Sequence, residues 1–218
     1  MNTYQKLKSS LDHQQVTLVA VSKTKPISQI MDIYDQGQRI FGENRVQELV
    51  EKYPVMPKDI EWHMIGHLQT NKVKHISSFV SMIHAVDSIK LLNMINRQGI
   101  EHDRRIDILL QLKIAKEESK FGFELDELIS QLKSIDFNAL TGVRIRGVMG
   151  MASFVEDTSQ VRSEFQTLKD AFDALKDQFF SSTNFDTVSM GMSGDFEIAI
   201  EEGSTMVRIG SMIFGARD

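Results

Sequence analysis

Apolar residues along this chain keep two alternating rhythms. Short aliphatic and β-branched runs with little polar alternation predict strands covered on both faces, and each is followed by a stretch whose apolar side chains return every three or four positions, as on one face of a helix. Thr17–Val21 is the first such strand. Pro26 can open a helix at its first turn, Ile27, Ile30, Met31 and Tyr34 give it an apolar face, and Gly37 stops it. Residues 39–41 form the second strand, ending in Gly42, Glu43 and Asn44, and Val46, Leu49, Val50 and Tyr53 mark its helix before Pro54. The third strand, 61–65, leads through Gly66 into a short helix that reaches about Ser77. A fourth over 79–84 is followed by a helix over 89–98 that Gly99 ends. The fifth, 106–112, is joined through the polar loop 117–120 and Gly122 to a helix over 125–132, and the sixth, 144–149, precedes a long helix over 161–179. Residues 187–190 make the seventh strand, closed by the loop 191–195 and a helix through Ile198 and Ile200 to Gly203. Residues 205–209 make the eighth, ending in Gly210 and Ser211. Eight strands alternating with eight helical segments predict an α/β chain folded as a single (β/α)8 TIM-type barrel over residues 1–218.

Such barrels gather their functional residues where the strands end, and often hold phosphate in the loops after strands seven and eight. Lys23 falls at the end of the first strand, between apolar walls that would leave its ammonium poorly solvated. The neutral amine is then easier to populate and can attack a carbonyl to form a Schiff base. Lys25 shares its parity but lies about 6.6 Å further along at strand rise, directly before Pro26, so Lys23 is the better candidate. The plainer alternative is that both lysines are solvated strand ends. Gly191, Ser193 and Gly194 after strand seven, with Gly210 and Ser211 after strand eight, can bring backbone N–H groups and hydroxyls close to phosphate oxygens, although any one of these glycines could serve only a tight turn. Asp195 would repel such an anion, and its side chain is expected to turn outward. Arg208, near the end of strand eight, needs an acceptor, either a ring nitrogen or a barrel carboxylate such as Glu43.

Composition narrows the picture by exclusion. A net charge of −5 without a basic cluster interleaved with aromatics argues against nucleic acid as a partner. No apolar run approaches the length of a membrane span, and the polar first residues lack the apolar core of a signal peptide, so a soluble, cytoplasmic protein is expected. With zero cysteines there is no thiol nucleophile or thiolate metal site. His63 and His67 straddle a strand end and a glycine turn with no carboxylate to complete a site, and no metal is expected.

Five motifs carry a resemblance: AVSKTKP (20–26), FGEN (41–44), WHMIG with LQTNK (62–66 and 68–72), SMGMS (189–193) and GSTMVRIGSMIFGAR (203–217). Together they look like the pyridoxal phosphate homeostasis proteins, with a match that spans nearly the whole chain. The resemblance implies a barrel like the alanine racemase N-terminal domain and pyridoxal 5′-phosphate joined to Lys23. It further implies a phosphate against Ser193, Gly210 and Ser211, Arg208 facing the pyridine nitrogen, and Asn44 near the cofactor. The segment before the first strand is shorter than the family leads one to expect, so a helix covering that side of the barrel is expected to be truncated. An arginine at the ring nitrogen disfavours the pyridinium that sharpens the cofactor as an electron sink. The three tyrosines, Tyr4, Tyr34 and Tyr53, lie in predicted helices where none is an obvious second base for racemisation. The expectation is therefore a monomeric, non-catalytic carrier in vitamin B6 homeostasis with PLP-dependent apoenzymes as recipients. The alternatives are a PLP-dependent racemase or lyase and a Schiff-base aldolase.

Overall fold

The computed structural model describes residues 2–115, 121–181 and 184–215. The polar loop 117–120 and the last residues of the C-terminal signature lie outside them. Eight parallel strands pair in chain order and close into a barrel. They are β1 (Thr17–Val21), β2 (Ile40–Glu43), β3 (Glu61–Met64), β4 (Met82–Val86), β5 (Ile106–Gln111), β6 (Val143–Met149), β7 (Thr187–Ser189) and β8 (Met206–Ile209). Closure is made by β1 against β8, with Thr17 opposite Met206 and Ala20 opposite Ile209. The surrounding helices are α1 (Thr3–His13), α2 (Ile27–Tyr34), α3 (Val46–Lys52), α4 (Ile89–Glu101), α5 (Leu125–Leu132), α6 (Thr158–Phe179), α7 (Phe196–Glu201) and α8 (Ser211–Phe214). A 3₁₀ turn, Thr70–His75, takes the helix place between β3 and β4.

Strand alternation sorts the apolar runs into two cores. Leu18, Ala20 and Phe41 face outward into the large shell between sheet and helices. Val19, Met82, Leu109, Met149 and Met206 belong to a separate buried group that fills the barrel itself. Across the N-terminal strand ends runs a belt of ion pairs, with Asp107 held by Arg144 at 2.6 Å and by Arg146 at 3.1 Å, and Arg146 paired with Asp186 at 2.9 Å.

Two expectations are corrected. The fourth strand starts at Met82 rather than 79, because Phe79 is apolar for a different reason: its ring stacks on Tyr53 in the outer layer, 4.0 Å between centroids. Gly99 does not end its helix, which runs on to Glu101. A Cβ at Gly99 would lie 2.1 Å from the carbonyl oxygen of Gly142, so this glycine lets α4 touch the chain before β6 backbone to backbone. At the start, α1 is an 11-residue helix with a complete capping box, Asn2 accepting from the Gln5 amide and Gln5 returning the bond to the Asn2 amide. Tyr4, Leu7 and Leu11 bury its inner face.

Candidate functional site

At the C-terminal ends of the strands the barrel opens into a cavity of about 1060 Å³, and Lys23, Asn44, Ser193, Arg208, Gly210 and Ser211, the six residues singled out from the sequence, all line it. Lys23 is half-buried just past β1. Lys25 reaches the same cavity, because the chain leaves the strand at Val21 and turns over residues 22–25, the Lys25 amide donating to the Ser22 carbonyl at 3.1 Å. Strand rise therefore does not separate the two lysines. Asn44 follows β2 and is packed so closely by the next loop that a Cβ at Gly66 would lie 2.4 Å from its carbonyl oxygen.

The glycine-rich loops divide by role. Gly191, at φ +95°, has α7 against it, with the Ala199 methyl 2.7 Å from where a Cβ would be, so it serves packing. Ser193, Gly194, Gly210 and Ser211 face the cavity. The two loops are tied together where the Gly210 amide donates to Ser193 Oγ at 3.3 Å. Asp195 does not turn outward. Its carboxylate accepts from the Met192 amide at 2.6 Å and closes its own loop, and its charge favours the protonated form of Arg208.

Arg208 is buried in the barrel and is not paired with Glu43. Its guanidinium donates to the carbonyl and Oγ of Ser189 at 2.8 and 2.7 Å, and to the Gly150 carbonyl at 3.1 Å. Burial lowers its pKa to about 10, which leaves it charged at neutral pH. Behind it stand two histidines: Ser189 Oγ lies 3.1 Å from His84 Nδ1, and His84 Nε2 lies 3.0 Å from His63 Nδ1. Burial drives His63 down to about 3, and burial with the neighbouring His63 and Arg208 drives His84 well below its usual value, so both are neutral. Each neutral ring offers one donor and one acceptor, so Arg208, Ser189, His84 and His63 form one directional chain of hydrogen bonds. His63 thus shares nothing with His67, which lies at the rim against Asp87 and stacked on Phe121. No cluster of metal-ligating side chains occurs among the described residues.

Glu43 faces outward, one position from inward-facing Gly42, whose missing Cβ makes room for Val19 and Ile65. It meets Lys52 of α3 at 2.7 Å and Ser22 Oγ at 2.6 Å, and its other carboxylate oxygen is buried without a hydrogen-bond partner among the described residues. Burial outweighs these bonds and lifts Glu43 to about 7. Lys52 also bonds Glu48 at 3.0 Å. Neither this cluster nor the histidine chain was assembled from the sequence, though His63 and His84 in otherwise apolar strands carried a signal, since a buried polar side chain needs a partner.

The whole chain, residues 2–218, matches the family model described as "Alanine racemase, N-terminal domain". A pyridoxal phosphate homeostasis protein of Vibrio alginolyticus is 40% identical over 228 aligned positions, covering 99% of this chain and 92% of that protein. PipY of Synechococcus elongatus, in a structure with PLP bound, superposes with a TM-score of 0.86 at 33% identity over 98% of this chain and 100% of that one. An alanine racemase of Bartonella henselae shares the fold at a TM-score of 0.72 and 16% identity, with this chain spanning 58% of it. The chain therefore belongs to the pyridoxal phosphate homeostasis family, built on the barrel of the alanine racemase N-terminal domain.

Proposed function

We propose that this protein binds pyridoxal 5′-phosphate at the barrel mouth, holds it as a Schiff base on Lys23 and releases it to PLP-dependent apoenzymes, acting as a monomeric cytoplasmic carrier without substantial turnover. The observation that carries this reading is the convergence of Lys23, the buried guanidinium of Arg208 and the tied loops of Ser193 and Gly210 on one cavity. These residues fit the group: an amine for an aldehyde, a cation braced to face a ring nitrogen, and hydroxyl and amide donors for a phosphate. The PLP bound in PipY supports the same assignment. When bound, the cofactor supplies a carbonyl carbon that an amine can attack, with the carbonyl oxygen leaving as water.

The chain's own residues favour holding over turnover. Arg208, still charged at neutral pH, opposes protonation of the ring nitrogen it would face. The hydroxyls of Tyr4 and Tyr34 are engaged on the outer helices, with Gln38 at 3.1 Å and with Asp59 at 2.8 Å, while the Tyr53 ring stacks on Phe79. The test is borohydride reduction of the protein loaded with PLP, followed by peptide mapping. The label is expected on Lys23, and a label on Lys25 overturns the lysine assignment. Sustained turnover of any amino acid by the loaded protein would replace the carrier reading with a racemase or lyase.

A further inference from the structure

Lys23 occupies the second position of a turn whose third position is unfavourable for the residue it holds. The turn over 22–25 is closed by the Lys25 amide on the Ser22 carbonyl, and Thr24 stands at φ +63°. That is the place a glycine normally takes in a type II turn, and a β-branched residue in left-handed backbone is a strained outlier. Such strain persists only where the surroundings over-determine it, and it gathers at functional sites.

The surroundings here are the charged cluster on the outer face of the wall. The Thr24 amide donates to Glu48 Oε2 at 2.7 Å. Lys52, one turn further along α3, donates to the same oxygen at 3.0 Å, to the Ser22 carbonyl at 3.0 Å and to Glu43 at 2.7 Å, while Ser22 Oγ donates to Glu43 at 2.6 Å. The backbone on both sides of Lys23 is therefore held by one set of ionisable groups that do not line the cavity. Glu43 and Lys52 are buried, and burying charge is costly enough that an apolar contact would be the cheaper way to support a strand end.

We infer that Glu48 and Lys52, backed by Glu43, are positioning residues that hold Thr24 in its left-handed conformation and so aim the amine of Lys23 into the cavity for attack on an aldehyde. This deepens the carrier reading and rests on it. The bond made is between the lysine nitrogen and the aldehyde carbon, with the carbonyl oxygen lost as water. The cluster touches neither atom and acts through the backbone.

Two ligands separate this role from general structural support. PLP reads both the cradle and the lysine; pyridoxine 5′-phosphate, an alcohol, has the same ring and phosphate but cannot form the covalent link. In Glu48→Ala the rate of imine formation from PLP, followed by stopped-flow absorbance, should fall about tenfold or more, as misplaced reacting groups do. The dissociation constant of pyridoxine 5′-phosphate should stay within about twofold of the unaltered protein, because the cradle is untouched. Adding Thr24→Gly to Glu48→Ala should restore most of the lost rate, since glycine takes positive φ without strain. Glu48→Gln, which keeps an acceptor for the Thr24 amide, should lose less than Glu48→Ala and serves as the variant should the alanine form fail to fold. An unchanged rate in both Glu48 variants, an equal loss for both ligands, or no restoration by glycine overturns the inference. If the unaltered protein forms no imine at all, the carrier reading fails and takes this one with it.

Discussion

Behind Lys23 lies a cluster of ionisable groups, Glu43, Lys52 and Glu48, on the outer face of the barrel wall; behind Arg208 lies a chain of neutral groups, Ser189, His84 and His63, inside it. Both side chains reach the same cavity, yet the supports are built from opposite chemistry. The lysine is half-exposed on a turn, so its helpers can be charges that grip backbone. Among the described residues Arg208 has no carboxylate in direct contact, and its own charge already sits in the barrel, where another would be expensive. Its hydrogen-bonding partners are carbonyls, a hydroxyl and, through that hydroxyl, neutral imidazoles. Removing Arg208 should therefore threaten the fold, whereas removing Lys23 should threaten only the chemistry.

The largest effect that sharpens this contrast is expected from Arg208→Glu. It would bury a carboxylate against the carbonyls of Ser189 and Gly150, and a loss of about 3–5 kcal/mol in urea unfolding of the ligand-free protein is expected. A loss under about 1 kcal/mol would show that the site relaxes freely and would break the comparison. Next comes His84→Phe, which strands His63 Nδ1 and withdraws the histidine partner of Ser189 Oγ at an expected cost of about 1–3 kcal/mol.

Acid and base should act on the two supports in opposite directions. His63 titrates in the folded protein at about 3 against an ordinary 6.5, and His84 is also lowered. The unfolded chain thus binds more protons, and the stability they confer is full above about 6.5 and drains as pH falls. The slope should be about 1.4 kcal/mol per pH unit for each histidine, and His84→Phe should halve it. Glu43 is raised from 4.5 to about 7, so the folded state binds the extra proton. The stability it confers is full below about 4.5 and is lost as pH rises through about 7. Glu43→Gln should remove that opposing slope of about 1.4 kcal/mol per pH unit, so that between about pH 5 and 6.5 acid lowers stability more steeply than in the unaltered protein, as unfolding curves across that range will show. An unchanged slope would mean that Lys52 keeps Glu43 ionised in the fold. The smallest effect belongs to Lys23→Ala, expected to move stability by about 1 kcal/mol or less while abolishing the covalent link, with cradle binding of pyridoxine 5′-phosphate retained.

Much of the site was legible before folding because its signals are local. The apolar run Thr17–Val21 ends at the lysine loop, and glycine and serine follow β7 and β8, so the barrel order alone delivers Lys23, Ser193, Gly210 and Ser211 to one end. Where local signals had two readings, only packing chose. Gly99 read as a helix stop and Gly191 as a phosphate-loop or turn glycine, and both proved to be points of close contact, while Phe79 read as strand and proved to be outer-layer packing. Glu43 was a fair partner for Arg208 on charge alone, but strand parity sends one outward and the other inward.

By itself the sequence determined the period of strand and helix, the lysine at the first strand end and the polar loops at the last two, since propensity and turn chemistry act within a few residues. Tertiary structure decided which buried groups meet. Ser189 reaches His84 across 105 residues and Ser22 reaches Glu43 across 21, through register around a closed sheet that no local pattern encodes. It also decided that Thr24 stands at φ +63°, against its own preference, because contacts from α3 outweigh what one residue's backbone would choose.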